Sequence, residues 1–95
     1  MDEIISALAA PARRTLIDEL RERNGQTLFE LCTRLTMLRG LGLSRQAISQ
    51  HLDVLESVGL VRSERQGKYR FFYINTGPLR ALADWCLAEV KGDGQ

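Results

Sequence analysis

The sequence is poor in residues that cross-link small proteins and in residues that carry out catalysis. Its 95 residues include two cysteines, Cys32 and Cys86, and one histidine, His51. Because the cysteines lie far apart, they give no disulfide framework and no Cys-x-x-Cys pair, which predicts a reducing, cytoplasmic setting. Because the histidine has no paired nucleophile, no catalytic constellation is visible. We therefore expect no enzymatic activity, no bound metal and no cofactor.

Long hydrophobic runs are also missing. No stretch reaches the roughly 20 apolar residues of a membrane-spanning helix, and the acidic start, MDEIISALAA, is unlike a signal peptide. We therefore expect no membrane partner. Hydrophobic residues make up 44% and charged residues 26% of the chain, which is ordinary for a globular protein. We expect one domain over residues 1–95, small enough for oligomerisation to be a natural supplement to its core.

The stretch over residues 43–60, LSRQAISQHLDVLESVGL, is the one that packing alone explains least. Ser44 is a typical helix N-cap, and Gly59 is a typical residue for ending a helix. Between them, apolar residues recur at the spacing of a helix that buries one face, namely Ile48, Leu52 and Leu55. These signals predict a helix over residues 45–57.

The polar face of this helix changes along its length. The first half has side chains of the kind that hydrogen-bond base edges in a major groove, whereas Asp53 and Glu56 in the second half would repel phosphates. We therefore predict that the first half is a DNA recognition surface. Its predicted contacts are Ser44, Arg45, Gln46, Ala47, Ser49, Gln50 and His51. For His51, a packed or backbone-bonded side chain is an alternative interpretation.

A basic hairpin is expected after this helix. Residues 60–74 are rich in Val, Tyr, Phe and Ile, and Gln66-Gly67 is expected to separate strands over residues 60–65 and 68–74. This segment holds four basic residues and one acid, although the net charge of the whole chain is only +1. A local basic excess is suited to phosphate contacts, which give affinity and orientation rather than base selection. The predicted contacts are Arg62, Arg65, Gln66 and Lys68.

Other helices are predicted on both sides of this unit. A short helix is expected over residues 2–9, and a second begins at Pro11 and buries Leu16, Ile17 and Leu20. A capping box at residues 27–30, TLFE, opens a third, whose expected buried face is Leu28, Leu31, Cys32, Leu35 and Leu38. Asp18, Glu19 and Glu22 are expected on a solvated face. A last helix starts near Thr76. This order predicts a mainly α fold of about five helices with a β-hairpin wing, a winged helix–turn–helix.

The two ends of the chain have more apolar surface than one small domain covers. An open patch of this kind would be a liability in a monomer, so we predict a twofold homodimer formed by residues 2–10 and 78–90. The predicted interface residues are Ile4, Ile5, Leu8, Leu79, Leu82, Cys86, Leu87 and Val90. The two recognition helices would then address half-sites of a symmetric double-stranded operator about one DNA turn apart, roughly 34–36 Å.

Several motifs resemble the ArsR family of bacterial winged-helix repressors. Residues 8–14, LAAPARR, resemble the L-A-x-P-x-R opening of that family, and residues 27–32, TLFELC, resemble its third helix. Residues 44–52, SRQAISQHL, are similar to its S-x-x-x-(V/I)-S-x-H-L recognition helix, which is the most specific match. Gly59-Leu60-Val61 and Gly67-Lys68 fit its wing. The resemblance, over about residues 8–90, implies a homodimeric repressor that an effector, here unknown, releases from its operator.

The chain departs from the family at two places. Residues 36–41 are additional to the compact family turn, so either the third helix is longer or the turn is a loop. Metal-sensing members often have two cysteines one residue apart in the third helix, but Arg34 occupies the second position here. Because the last helix also has no histidine, the resemblance does not imply metal sensing.

Three alternatives remain open from the sequence. The winged helix is also compatible with a protein-interaction module that does not bind DNA. Cys32 and Cys86 fit buried structural thiols, but they also allow a cysteine-based redox-sensing repressor. Arg13 and Arg14 fit either phosphate contacts or a structural salt bridge.

Overall fold

The computed structural model describes residues 1–88, which contain five helices and one small sheet. Val90, predicted to lie in the dimer interface, falls outside this range. None of the described helices has the length and hydropathy needed to cross a membrane. The elements are, in chain order, α1 (Asp2–Leu8), α2 (Pro11–Glu22), β1 (Gln26–Thr27), α3 (Leu28–Arg39), α4 (Arg45–Ser57), β2 (Val61–Gln66), β3 (Tyr69–Ile74) and α5 (Gly77–Leu87). The predicted mainly α winged helix–turn–helix fold is confirmed.

Local capping signals decide where the helices begin. The Thr27 hydroxyl accepts a hydrogen bond from the Glu30 amide at 3.2 Å, and the Glu30 carboxylate accepts one from the Thr27 amide at 2.9 Å. This is the predicted capping box of α3. Ser44 caps α4 by accepting from the Ala47 amide at 3.1 Å. Because these bonds satisfy amides that have no partner within the helix, they fix the first turn of α3 and of α4.

The connection between α3 and α4 combines the two possibilities left open by the sequence. α3 continues through Arg39 and ends at Gly40, which has a left-handed φ of +66°. Residues 40–44 then form a short non-helical connector. Leu41 and Leu43 in this connector pack against the core. The additional residues therefore lengthen the helix and anchor the start of α4.

The sheet has three antiparallel strands in the order β1-β3-β2. Gln66 pairs with Tyr69, so the turn is Gly67-Lys68, one residue later than the predicted Gln66-Gly67. Gly67 has φ +64°, and no described non-glycine residue has a positive φ. This combination fits a type II′ hairpin turn, which places glycine first. The two-residue strand β1 was not predicted, because it shares its residues with the start of the α3 capping box.

The core lies between α2, α3 and α4 and the base of the hairpin. Its fully buried side chains include the predicted Leu16, Leu20, Ile48, Leu52 and Leu55. Two expectations were wrong. Leu38 is 62% exposed, because it lies in the last turn of α3, where no described element covers it. Glu19 is fully buried rather than solvated, because two arginines of α3 reach it.

Candidate nucleic-acid interface

The first half of α4 presents a polar stripe opposite its buried face. Arg45, Gln46 and Gln50 are exposed and Ser49 is half-buried, whereas Ile48 and Leu52 are buried. Helical geometry places the four polar residues side by side, because each residue advances by about 100° around the axis. No hydrogen bond or ion pair joins the Arg45, Gln46 or Gln50 side chain to another described residue. The stripe is therefore free to bind a ligand.

The N-terminus of α4 adds unpaired backbone donors to this stripe. The Ser44 side chain satisfies the Ala47 amide, and the Ser44 carbonyl accepts from the Ile48 amide at 3.0 Å. The amides of Arg45 and Gln46 precede these bonds and have no intrahelical acceptor, as is usual in a first turn. Together with the helix dipole, such amides favour an anion such as phosphate.

The hairpin tip presents cations next to the stripe. Arg65, Gln66 and Lys68 are exposed, and the Lys68 ammonium lies 5.8 Å from the centre of the Tyr69 ring. Arg62 sits nearer the base of the hairpin, where it pairs with Glu64 and stacks over the Tyr73 ring at 4.5 Å. Of the predicted hairpin contacts, Arg65, Gln66 and Lys68 are thus available, while Arg62 is held by neighbouring side chains.

An ion pair fixes the hairpin relative to α4. The Arg70 guanidinium donates to Oε1 of Glu56 at 2.7 Å and to the Ser63 hydroxyl at 2.9 Å, and that hydroxyl donates to Oε2 of Glu56 at 2.8 Å. Glu56, which the sequence suggested only as a phosphate-repelling charge, therefore neutralises a hairpin arginine. This contact holds the strands of the hairpin against the second half of α4.

Ser49 of the stripe and Lys68 of the hairpin tip line the same open groove of about 470 Å³. Ser49 of α4 lines one side, and Lys68 and Tyr69 line another. The start of α3 supplies Phe29, which is 67% exposed. Neither Phe29 nor Tyr69 is among the DNA contacts predicted from the sequence. The capping box could have indicated that Phe29 is exposed, because it places this residue in the first turn of α3 rather than in the core.

His51 and Ala47 lie on a different flank of α4 from the stripe. His51 is half-buried, and its Nδ1 is 3.3 Å from Nη1 of Arg13 on α2. Burial lowers the pKa of His51 below its ordinary value, and the nearby Arg13 charge lowers it further. Arg13 also donates to the Ala7 carbonyl, and Arg14 donates to the Leu8 carbonyl, each at 2.6 Å. Both arginines therefore have structural contacts, but within residues 1–88 their partners are backbone carbonyls and His51 rather than the carboxylate of the expected salt bridge.

A buried carboxylate positions α3 against α2. Glu19 accepts hydrogen bonds from Arg34, from Nε of Arg39 at 2.9 Å and from Nε2 of Gln26 at 2.8 Å. Burial opposes the charge of Glu19, but these hydrogen bonds outweigh burial and hold its pKa below the ordinary value. The sequence offered no signal for this site, because Glu19 has the same spacing to its neighbours as an exposed helical acid.

The residues at the family's metal-ligand positions do not fit a metal. Arg34, which stands where a second cysteine would be, is engaged with Glu19 and Glu22. Within residues 1–88 no group of three or more His, Cys, Asp or Glu side chains is placed to hold a metal ion. Cys32 is half-buried, and burial raises the pKa of its thiol against a smaller opposing effect of the Arg45 charge. Cys86, for which the sequence favoured a buried thiol, is instead exposed on α5, because no described element covers that helix face.

Comparison with known proteins adds to this geometry. A family model described as a helix-turn-helix domain matches residues 8–64. The chain is 51% identical over 81 residues to YuzN of Bacillus subtilis (strain 168), an uncharacterized HTH-type transcriptional regulator, with 85% of this chain and 88% of YuzN covered. It is 26% identical over 94 residues to the transcriptional repressor SdpR of the same organism, with 98% and 97% covered.

A solved structure has the same architecture. The ArsR-like transcriptional regulator from Rhodococcus sp. RHA1 superposes with a TM-score of 0.74 at 31% identity, with 88% of this chain and 73% of that chain covered. The polar stripe on α4, the hairpin beside it and these similarities lead to one conclusion. This chain belongs to the ArsR family of winged helix–turn–helix, DNA-binding transcriptional regulators.

Proposed function

We propose that this protein is a homodimeric, cytoplasmic repressor without enzymatic activity, which binds a specific double-stranded operator and is released by an effector that is not yet known. The observation that carries the proposal is the exposed polar stripe on α4, whose Ser49 lines the same open groove as Lys68 of the basic hairpin tip. The similarity to SdpR, which is named a transcriptional repressor, supports repression. The helix–turn–helix family match favours DNA binding over a protein-interaction module.

The proposed contacts are of two kinds: some select the base sequence, and others give affinity for any DNA. Arg45, Gln46, Ser49 and Gln50 read base edges, since arginine, glutamine and serine side chains offer hydrogen bonds that match base patterns in the major groove. Arg65, Gln66 and Lys68 hold the DNA backbone and give no base preference. Ser44 holds the Ala47 amide and so fixes the first turn of α4, whose free Arg45 and Gln46 amides face the DNA backbone. Arg62 and His51 contribute indirectly. Arg62 stacks on Tyr73 of the hairpin, and His51 contacts Arg13 of α2.

The first experiment measures binding to the DNA upstream of the gene, located by footprinting, against a scrambled duplex of the same length. The affinity for both duplexes should fall steeply between about 50 and 200 mM salt, because phosphate contacts release counterions. The upstream duplex should bind more tightly at every salt concentration. Equal affinity for the two duplexes would contradict sequence-specific binding, and an affinity independent of salt would contradict the DNA interface itself.

Two substitutions separate the contact types. Lys68→Gln should weaken binding to all sequences alike and reduce the salt slope by about 0.9, because one phosphate contact is lost. Arg21→Gln is the matched control, because Arg21 is an exposed arginine of α2 whose one ion pair within residues 1–88 is with Asp18, and it should change neither quantity. Gln50→Ala should relax preference at one base pair by about 1–3 kcal/mol. If Gln50→Ala keeps full discrimination, α4 is not the reading element.

The proposed dimer rests on apolar surface that one chain leaves open. None of the eleven residues of α5 is buried, and Trp85 and Leu87 are 63% and 82% exposed. On α1, Ile5 is 45% exposed. We propose that α1 and α5 pack against the same helices of a second copy through the exposed Ile5, Cys86 and Leu87 and the half-buried Leu82. Ile4, Leu8 and Leu79 are partly buried against the core of their own chain and would add their remaining surface, as would Val90 in the part of the chain that is not described.

Sedimentation of the wild-type protein and of two charged variants tests the dimer. The wild type should be a dimer at micromolar concentration, whereas Leu87→Glu should shift the equilibrium toward monomer, because it puts a charge into the apolar seam. Thr36→Glu adds the same charge on an exposed position of α3 and should remain dimeric. A monomeric wild type would contradict the proposal. In operator DNA, inserting about 5 base pairs between half-sites rotates them by half a turn and should abolish dimer binding.

The redox-sensing alternative makes a different prediction for the same assay. Burial raises the pKa of Cys32 and so keeps it in the less reactive thiol form, which leaves the exposed Cys86 as the reactive candidate. If oxidant releases the wild type from DNA but not the Cys86→Ser variant, the effector is an oxidant. Release of both proteins, or of neither, would exclude Cys86 as the sensor.

A further inference from the structure

Arg13, which makes no proposed contact with DNA, bonds to the end of α1 and also reaches His51 on α4. Nε of Arg13 donates to the Ala7 carbonyl at 2.6 Å, and Ala7 is the buried residue of α1. The last carbonyls of a helix have no intrahelical donors, and an arginine there is favoured by the helix dipole as well. Arg13 therefore fixes the C-terminal end of α1, although it belongs to α2.

The same guanidinium reaches α4. Nη1 of Arg13 lies 3.3 Å from Nδ1 of His51, which is 38 positions away in sequence. An arginine side chain has only donors, so Nδ1 must be the acceptor. The histidine ring is then neutral, with its proton on Nε2. A protonated ring would direct an N–H at the guanidinium and remove the acceptor.

No other side-chain hydrogen bond links α1 to α4 within residues 1–88. Elsewhere the two helices face each other across an open groove of about 410 Å³, lined by Asp2, Glu3, Ser6, Ala7, Arg13, Val54 and Val58. Ala7 is buried in the core, and Ile4 and Leu8 pack against that core, so packing holds α1 on the rest of the domain. Within residues 1–88, Arg13 is the side chain that hydrogen-bonds to both α1 and α4.

We propose that Arg13 is a positioning residue that couples α1 to α4 through neutral His51, so that protonation of His51 weakens DNA binding. This inference rests on the proposed function, in which α1 contacts the second copy and α4 reads DNA. A change in either helix alters the energy of the Arg13 contact and therefore the population of the arrangement that binds DNA. The contact thus links the dimer seam to the recognition stripe.

The charged groups around His51 are consistent with this role. From α2, Arg13 faces the ring. From α1, Asp2 and Glu3 line the groove beside Arg13. On α4 itself, Asp53 is exposed and Glu56 is engaged with Arg70. Burial and the Arg13 charge both lower the pKa of His51, so the neutral ring required by the contact is the stable form at neutral pH.

The sign of the pH effect distinguishes this coupling from simple electrostatics. His51 is the only histidine in the chain, and its pKa lies below the ordinary value of about 6.5. A change in affinity that begins as the pH falls below about 6.5, and before carboxylates titrate near about pH 4, therefore reports on His51. A histidine that merely contacted phosphate would strengthen binding when protonated. Loss of the Arg13 contact should instead weaken operator binding, on the order of 5-fold or more, as is typical for coupled sites.

Four variants test the proposal at constant ionic strength. His51→Gln keeps an acceptor for Arg13 but cannot titrate, so it should bind the operator and lose the pH dependence. At about pH 7.5, Arg13→Gln should bind as weakly as the wild type does once His51 is protonated, with an unchanged salt slope. Arg14→Gln is the matched control, because Arg14 also caps α1, through Leu8, without reaching α4. It should behave as wild type. Arg13→Lys keeps the charge but not the two-point contact, and should resemble Arg13→Gln.

A second readout does not depend on DNA. The ring signals of His51 in an NMR titration give its pKa, which should rise toward the ordinary value in Arg13→Gln and stay low in Arg14→Gln. The proposal is overturned if wild-type affinity is constant or increases on acidification, if Arg14→Gln loses as much affinity as Arg13→Gln, or if the salt slope of Arg13→Gln falls as for a phosphate contact. Absence of operator binding by the wild type at pH 7.5 would refute the proposed function, and with it this coupling, even if the NMR titration verifies the contact.

Discussion

Replacing Glu19 with glutamine should destabilise the protein far more than its position on an amphipathic helix suggests. Glu19→Gln keeps nearly the same shape and removes the negative charge. That charge is fully buried and accepts hydrogen bonds from Arg34, Arg39 and Gln26. Both arginines are mostly covered, with 22% and 24% of their side-chain surfaces exposed. The substitution therefore leaves two cations without their main partner.

The structure sets the size of the effect. Removing one member of a buried ion pair costs about 3–5 kcal/mol. Here the lower end applies, because Nη2 of Arg34 and Nη2 of Arg39 also reach Glu22, at 3.2 and 3.4 Å, and because glutamine keeps one acceptor oxygen. We expect a loss of about 3 kcal/mol in the free energy of unfolding, or roughly 12–24 °C in Tm for a domain of this size.

Urea unfolding followed by circular dichroism measures this loss, at one protein concentration because dimerisation also stabilises the fold. Asp18→Asn is the matched control on the same helix. Asp18 is 58% exposed and lies 3.8 Å from Arg21, so its removal should change the free energy by less than about 0.5 kcal/mol. Equal effects of the two substitutions would refute the interpretation of Glu19 as a buried anchor.

The stability difference between the wild type and Glu19→Gln should depend on pH. The pKa of Glu19 is lowered in the folded protein, so its contribution is fully present above the unfolded value of about 4.3. That contribution is lost as the pH falls through the lower, folded value. The difference in stability between wild type and Glu19→Gln should therefore be constant from neutral pH down to about pH 5 and shrink below about pH 4. A difference that grows on acidification would contradict the assigned charge state.

Three further substitutions test the packing, capping and backbone arguments by urea unfolding. Leu52→Ala, at a position 1% exposed, should cost about 2–5 kcal/mol, and a cost below 1 kcal/mol would contradict the assigned core. Thr27→Ala removes the capping box of α3 and should cost about 1 kcal/mol; an unchanged midpoint would show that the cap is not formed in solution. Gly25→Ala should cost more than about 1 kcal/mol, because Gly25 has φ +75° and an added Cβ would lie 2.9 Å from the Tyr73 ring. A neutral Gly25→Ala would contradict the left-handed backbone at that turn.

Local signals in the sequence were enough to predict most of the elements. Ser44 and the capping box at Thr27 mark helix starts by bonds to amides two or three residues away, and Gly59 ends α4 through its own left-handed φ of +80°. The spacing of Ile48, Leu52 and Leu55 depends only on helical geometry. Because these determinants act within a few residues, the sequence alone carried both the helix over residues 45–57 and its polar stripe.

Where the prediction failed, short-range signals were ambiguous. The turn at Gly67-Lys68 differs by one residue from the predicted turn, because glycine at either central position suits a hairpin and only pairing with β3 selects the register. The strand β1 is only two residues long and is defined by its pairing with Phe71 and Phe72 of β3, which no local signal in the sequence reveals. Leu38 has the spacing of a buried residue but lies past the covered part of α3.

What the sequence by itself determined was therefore the set of helices, the hairpin and the polar stripe of α4 that is proposed to contact DNA. Only the tertiary structure decided which charges are used inside the protein. Glu19 and Arg39 are 20 positions apart, and Arg13 and His51 are 38 apart. No local pattern distinguishes such residues from exposed ones, because their energies come from burial and from partners that only the packing of α1, α2, α3 and α4 brings within hydrogen-bonding distance.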